Sequence, residues 1–143
     1  MIHPELELLL DDDEFILAAL ESALYSEGYR IISTTRASEA LDLLATHSVG
    51  VIISDQNMPE MSGVELLGKM RTLHPATVRI MLTGHDSQQL TSAAINEGAV
   101  YKFITKPWDV EQLLNNVRDA FRHHSVIVKS IKQEVNFNSL KCS

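Results

Sequence analysis

The sequence predicts an α/β fold: a doubly wound parallel sheet of five strands with five helices and a C-terminal helical extension. Three observations carry that expectation. Short apolar runs alternate five times with stretches of helical periodicity, the pattern of successive βα units. The third run, Gly50–Ser54, is apolar without alternation, as expected of a strand covered on both faces. Polar groups stand where the runs stop, and parallel sheets bind ligands outside the carboxyl ends of their strands. Leu6–Leu10 leads into Asp11, Asp12 and Asp13, Val51–Ser54 into Asp55, Val78–Leu82 into Thr83-Gly84, and Tyr101–Thr105 into Lys106-Pro107.

Taken in order, Leu6–Leu10 is the first strand, and Ile16, Leu17, Leu20 and Leu24 recur at helical spacing after it. Asp13 and Glu14 belong to the start of that helix, where negative charge suits the dipole, and Gly28 stands where a helix C-cap belongs. Arg30–Thr34 is the second strand. Ala37, Ala40, Leu41, Leu44 and Ala45 mark the second helix, with Ser38 near its start. Val64, Leu67 and Met70 carry the third helix, and Pro75 blocks its continuation before the strand Val78–Leu82. Leu90, Ala93 and Ala94 mark a fourth helix closed by Gly98, and Val100–Thr105 is the fifth strand. Asp109 is the N-cap expected for a last helix carried by Leu113, Leu114, Val117 and Phe121.

At 143 residues and 45% hydrophobic, the chain suits one well-cored domain. A formal net charge of −7 argues against non-specific nucleic-acid binding, which needs a basic face. The single cysteine, Cys142, allows no intramolecular disulfide and fits a reducing compartment. No apolar stretch approaches membrane-spanning length and the acidic start is unlike a secretory signal, so a cytoplasmic protein without membrane contact is expected.

Four strand ends thus deliver carboxylates, a hydroxyl and an ammonium to one rim. That set suits binding a divalent metal and moving a phosphoryl group onto an aspartate. The runs Leu-Leu-Leu-Asp-Asp-Asp, Ser-Asp-Gln-Asn-Met-Pro-Glu-Met-Ser-Gly, Met-Leu-Thr-Gly and Phe-Ile-Thr-Lys-Pro follow one another in the order of a known family. On these motifs, residues 5–122 resemble a bacterial response-regulator receiver domain, similar to the chemotaxis receivers. The resemblance implies the flavodoxin-like strand order 2-1-3-4-5, which sets Asp11, Asp12 and Asp55 side by side.

The resemblance also implies roles. Asp55 is the expected phosphoacceptor, accepting from a sensor histidine kinase or phosphotransfer protein. Asp11, Asp12, Asp55 and the backbone carbonyl of Asn57 are the expected ligands of Mg²⁺ or Mn²⁺, a hard dication that offsets carboxylate repulsion. Lys106 neutralises the phosphoryl group, and its bond to Pro107 is expected in cis. Thr83 donates its hydroxyl and moves with Phe103 in the switch, phenylalanine standing where tyrosine is commoner. Tyr101 is spaced to share a strand face with Phe103. Gly84 leaves room beside the phosphoryl group, while Asn57 and His85 occupy the positions that tune its lifetime. A receiver is a signalling module acting through protein contacts, not an enzyme with turnover.

A rival reading is a haloacid-dehalogenase-like phosphohydrolase, for which Asp11-x-Asp13, Thr83 and Lys106 could serve. It needs an acidic pair ending a further strand, and it leaves Asp55–Gly63 unexplained. Residues 1–123 are expected to form the domain and 124–143 a tail or linker to a downstream output protein or domain. Leu114, Val117, Phe121, His124, Val128, Ile131 and Val135 keep a three-four spacing that would prolong the last helix as a seam of about three heptads, leaving a homodimer open. His123-His124 reads as a solvated helix end. The stretch from Tyr101 to Trp108 resembles receivers joined to cyclic-di-GMP phosphodiesterases of the HD-GYP type.

Overall fold

A sheet of five parallel strands in the order β2-β1-β3-β4-β5 organises the chain. The computed structural model describes residues 6–84 and 99–141. Its elements are β1 Leu6–Leu10, α1 Glu14–Tyr25, β2 Arg30–Thr34, α2 Ala37–Thr46, β3 Val51–Asp55, α3 Gly63–Leu73, β4 Val78–Thr83, β5 Lys102–Thr105 and α4 Val110–Lys141. The helix expected around Leu90, Ala93, Ala94 and Gly98 lies outside the described residues. Among the described residues no helix is long and apolar enough to cross a membrane.

Strand side chains alternate between two faces, and each face has its own helix pair. Leu8, Leu10, Ile52 and Met81 pack with Ala40 and Leu44 of α2 and with Leu66, Leu67 and Met70 of α3. Leu9, Ile53, Ile80 and Leu82 pack with Leu17, Leu20 and Leu24 of α1 and with Leu113, Val117 and Phe121 of α4. With both faces covered, β1 and β3 are buried along their whole length, which is why neither shows polar alternation.

The helix ends follow their sequence signals. Asp13 caps α1 by accepting from the Phe15 amide at 2.9 Å, and Asp109 caps α4 by accepting from Glu111 at 2.8 Å. Ser62 caps α3, accepting from the Glu65 amide. Ser38 lies near the start of α2 as expected, while the cap position is held by Arg36, which makes no side-chain cap bond. Gly28 takes a positive φ of 84° beyond the end of α1, a conformation that favours glycine. β3 begins and ends one residue later than expected, so that Asp55 itself closes the strand.

β5 is shorter than expected, and this changes the place of Tyr101. That residue precedes the strand, so it does not share a strand face with Phe103. Its ring stacks on His123 of α4 at 4.8 Å, whereas Phe103 packs into the cluster of Met81 and Leu67. Of the histidine pair, His123 is exposed as expected, whereas His124 is not solvated. His124 is half-buried and its Nδ1–H donates to the Ala76 carbonyl at 2.7 Å. α4 is continuous through Lys141, so the boundary expected after residue 123 falls inside a helix, and Ile127 still packs against the core. Beyond it Ile131 and Val135 of the apolar stripe are exposed.

Glu7 stands out within the core. It is fully buried in β1, and neither carboxyl oxygen has a hydrogen-bond partner among the described residues. Burial pushes its carboxyl up from 4.5 to about 8. The folded chain therefore keeps a proton that the unfolded chain loses above pH 4.5, so stability should fall as pH rises from 4.5 to about 8. At about 1.4 kcal/mol per pH unit, the loss is at most on the order of 5 kcal/mol. Urea melts should show this decline in wild type relative to Glu7→Gln, and Glu7→Leu should be more stable than wild type at the upper end of the window. Parallel pH profiles for wild type and Glu7→Gln would show that the carboxyl is satisfied in solution.

Candidate functional site

Adjacent strands β1 and β3 end in acids, and their pairing sets the geometry of the rim. Leu10 pairs with Ser54, so Asp11 and Asp55, each the next residue, emerge side by side. Asp11 is fully buried, Asp55 nearly so, and Asp12 exposed. One carboxylate oxygen from each of Asp11, Asp12 and Asp55 lies within 4.8 Å of the others. Asp13 is not in this group, because capping α1 turns it away from the rim.

Lys106 completes the cluster from β5. Its amide donates to the Thr83 carbonyl at 2.8 Å, continuing the β4–β5 pairing past Thr105, and the Lys106–Pro107 bond is cis. The ammonium then reaches Asp11 Oδ2 and Asp55 Oδ1, both at 2.9 Å. Burial disfavours the Lys106 charge, but the Asp55 and Asp11 carboxylates outweigh it and hold its pKa above the ordinary lysine value. Asp11 is raised, first by burial and further by the Asp55 charge, against the opposing Asp13 amide and Lys106. Thr83 is buried at the end of β4, beside Lys106.

Three carboxylates facing one ammonium leave a formal charge of −2 in a partly desolvated pocket. A dication with a preference for oxygen ligands matches both that charge and the donor set, and Mg²⁺ fits. Asn57 is exposed on the loop after β3. Gly84 is exposed as well, and a Cβ built there meets no described atom within 4 Å. His85 lies outside the described residues.

The loop that presents Asp55 is tied down by two residues to which the sequence reading gave no role. The Gln56 carbonyl accepts from the Gly63 amide at 2.9 Å, and its side-chain Oε1 accepts from Val64 at 3.0 Å. Gly63 starts α3 so close to β3 that a Cβ would lie 2.6 Å from the Asp55 carbonyl oxygen. A polar residue directly after a strand-ending acid, with glycine seven positions on, was the available signal.

The family model for the response regulator receiver domain matches residues 8–118. The chain belongs to that family. This receiver is 37% identical over 113 residues to the hydrogenase transcriptional regulatory protein HoxA of Cupriavidus necator, covering 79% of this chain and 23% of that protein. It is equally identical to the transcriptional regulatory protein GlrR of Escherichia coli K12, covering 79% and 25%. The chain thus spans about a quarter of the length of these relatives. Among solved structures, the signal receiver domain of an HD domain-containing protein from Pseudomonas fluorescens Pf-5 superposes with a TM-score of 0.86 at 36% identity, covering 90% of this chain and 95% of that one. A CheY-like receiver domain protein from Methanospirillum hungatei gives 0.80 at 28% identity, covering 86% and 98%.

Two substitutions test the geometry. Gly63→Ala should force the Asp55 loop and α3 apart and cost about 1–3 kcal/mol in urea unfolding. Lys106→Met should cost roughly 1–3 kcal/mol near neutral pH, discounted for the solvent reaching the ammonium, because it leaves buried Asp11 unpaired. That cost should shrink as pH falls and Asp11 takes up a proton. A pH-independent cost would mean that the lysine stabilises through packing alone.

Proposed function

We propose that this receiver accepts a phosphoryl group on Asp55 from a histidine kinase or phosphotransfer protein in the cytoplasm, and passes the signal to an output partner. The observation that carries the reading is the Lys106 ammonium spanning Asp11 and Asp55 beside a third carboxylate, Asp12. A carboxylate oxygen of Asp55 attacks the phosphorus, and the bond to the donor nitrogen breaks as the acyl phosphate forms. In this reading Lys106 neutralises the phosphoryl oxygens and Thr83 donates its hydroxyl to one of them. Asp11, Asp12, Asp55 and the Asn57 carbonyl would hold Mg²⁺, which when bound supplies positive charge to the same oxygens. Thr83 and Phe103 form the switch in this reading, and Asn57, Gly84 and His85 tune the lifetime of the acyl phosphate. The phosphohydrolase alternative lacks support, since no strand follows β5 among the described residues.

Two output readings rest on separate observations. The curated relatives are named transcriptional regulators and are about four times as long as the matched region, which favours a receiver at the head of a transcription regulator. The likeness to the receiver of an HD domain-containing protein favours a phosphodiesterase of the cyclic-di-GMP class. In either case the helix beyond Ile127 serves as linker, with its uncovered stripe available to a second chain. Sedimentation of wild type against Val128→Asp with Ile131→Asp separates a dimer seam from a plain linker.

Acetyl phosphate with Mg²⁺ should add one phosphoryl group to wild type and none to Asp55→Asn, read by intact mass. Labelling that persists in the variant would move the nucleophile elsewhere. Mg²⁺ should also raise the melting temperature by mass action, and Asp12→Ala should remove most of that response. A response lost in Asp13→Ala and kept in Asp12→Ala would shift the metal register by one residue.

A further inference from the structure

Cations collect on one stripe of α4 in a chain whose formal net charge is −7. Arg118, Arg122, Lys129 and Lys132 recur at spacings of four, seven and three, which align on one helical face with Ser125 between them. They line a cavity of about 610 Å³ together with Tyr29 and Phe121, and no carboxylate lines it. Tyr29 and Phe121 stack at 4.7 Å to give the cavity an aromatic wall. Arg118 is oriented from outside the cavity, donating to Asn115 Oδ1 at 2.9 Å and pairing with Glu27. Arg122 pairs with Asp119, whereas Lys129 and Lys132 make no ion pair among the described residues.

The cavity lies at the opposite rim from the acid cluster. α4 runs back along the sheet from the carboxyl end of β5, and by Phe121 and His124 it has reached Gly50 and Ala76, just ahead of β3 and β4. A ligand there would not compete with the phosphoacceptor. It would touch both the domain, at Tyr29 and Arg118, and the helical extension, at Lys129 and Lys132.

We propose that this cavity binds a nucleotide, with the phosphates along the Arg118–Lys132 stripe and the base toward the Tyr29 wall. Guanidinium forks and ammonium groups are the usual partners of phosphate, and the volume lies within the range of small-ligand sites. A concave, aromatic-walled site suits a compact ligand with a flat ring better than an acidic protein surface. Occupancy would tie the first turns of the extension to the domain and bias its orientation toward the output.

Calorimetric titration of the 143-residue chain with ATP in EDTA tests this. Tripolyphosphate, adenosine and poly-glutamate serve as separate arms. ATP should bind more tightly than tripolyphosphate or adenosine, and more weakly as salt rises. Lys129→Glu with Lys132→Glu should weaken ATP by about tenfold or more, the equivalent of about 1.4 kcal/mol. Lys69→Glu, on α3 across the sheet, should leave ATP binding unchanged. Absence of ATP binding at millimolar concentration, equal affinity in the double variant, or tripolyphosphate binding as tightly as ATP would overturn the nucleotide site. Binding of poly-glutamate without ATP would overturn it in favour of an acidic protein partner.

Discussion

One ammonium between two buried carboxylates is the constraint on which the rim depends. Asp11 and Asp55 come from neighbouring strands, and both sit where water is largely excluded. Without a cation, bringing them together would cost more than the hydrogen bonds around them return. Lys106 meets both at 2.9 Å, and it can do so only because β5 delivers it beyond Thr105 across β4. The strand order, the end points of three strands and the turn at Pro107 are all needed for that contact. The same contact leaves the cluster short of positive charge by two, which a dication with a preference for oxygen ligands would supply.

Most of this was legible in the sequence because the signals were local. Apolar runs marked the strands, and the polar residues that ended them marked the rim. Asp13 was separable from Asp11 and Asp12 because negative charge suits a helix start, and in the structure it caps α1 by accepting from the Phe15 amide. What was not legible depended on contacts between distant segments. His124 reads as exposed until the loop at Ala76 comes beside it, and Tyr101 reads as a strand residue until its ring meets His123. Gln56 acts through Gly63 and Val64, a closure of the loop that no periodicity announces. Glu7 carries no local signal of its own, and only the cover provided by α1 and α4 makes it a buried acid.

The long last helix joins two kinds of surface. Its first turns use Leu113, Val117 and Phe121 to close the core, so they are fixed by burial. Its later turns carry the same apolar spacing into solvent, together with a basic stripe that begins on the domain and ends on the extension. The helix that closes the core and the helix that leaves it are one continuous element, Val110–Lys141. The phosphoacceptor rim and the base of the extension lie at opposite ends of the sheet, which lets the two be addressed separately.

If Asp11, Asp12 and Asp55, with Lys106 beside them, form a cation site, a divalent ion should bind at this rim. Anomalous diffraction from a crystal soaked in Mn²⁺ tests it most directly. One strong peak is expected beside the carboxylates of Asp12 and Asp55, as a hard dication prefers oxygen ligands. The peak should disappear in Asp12→Ala with Asp55→Asn. A map with no peak at that rim, or one whose only peak lies against Asp13 and Glu14, would rule out the cation site.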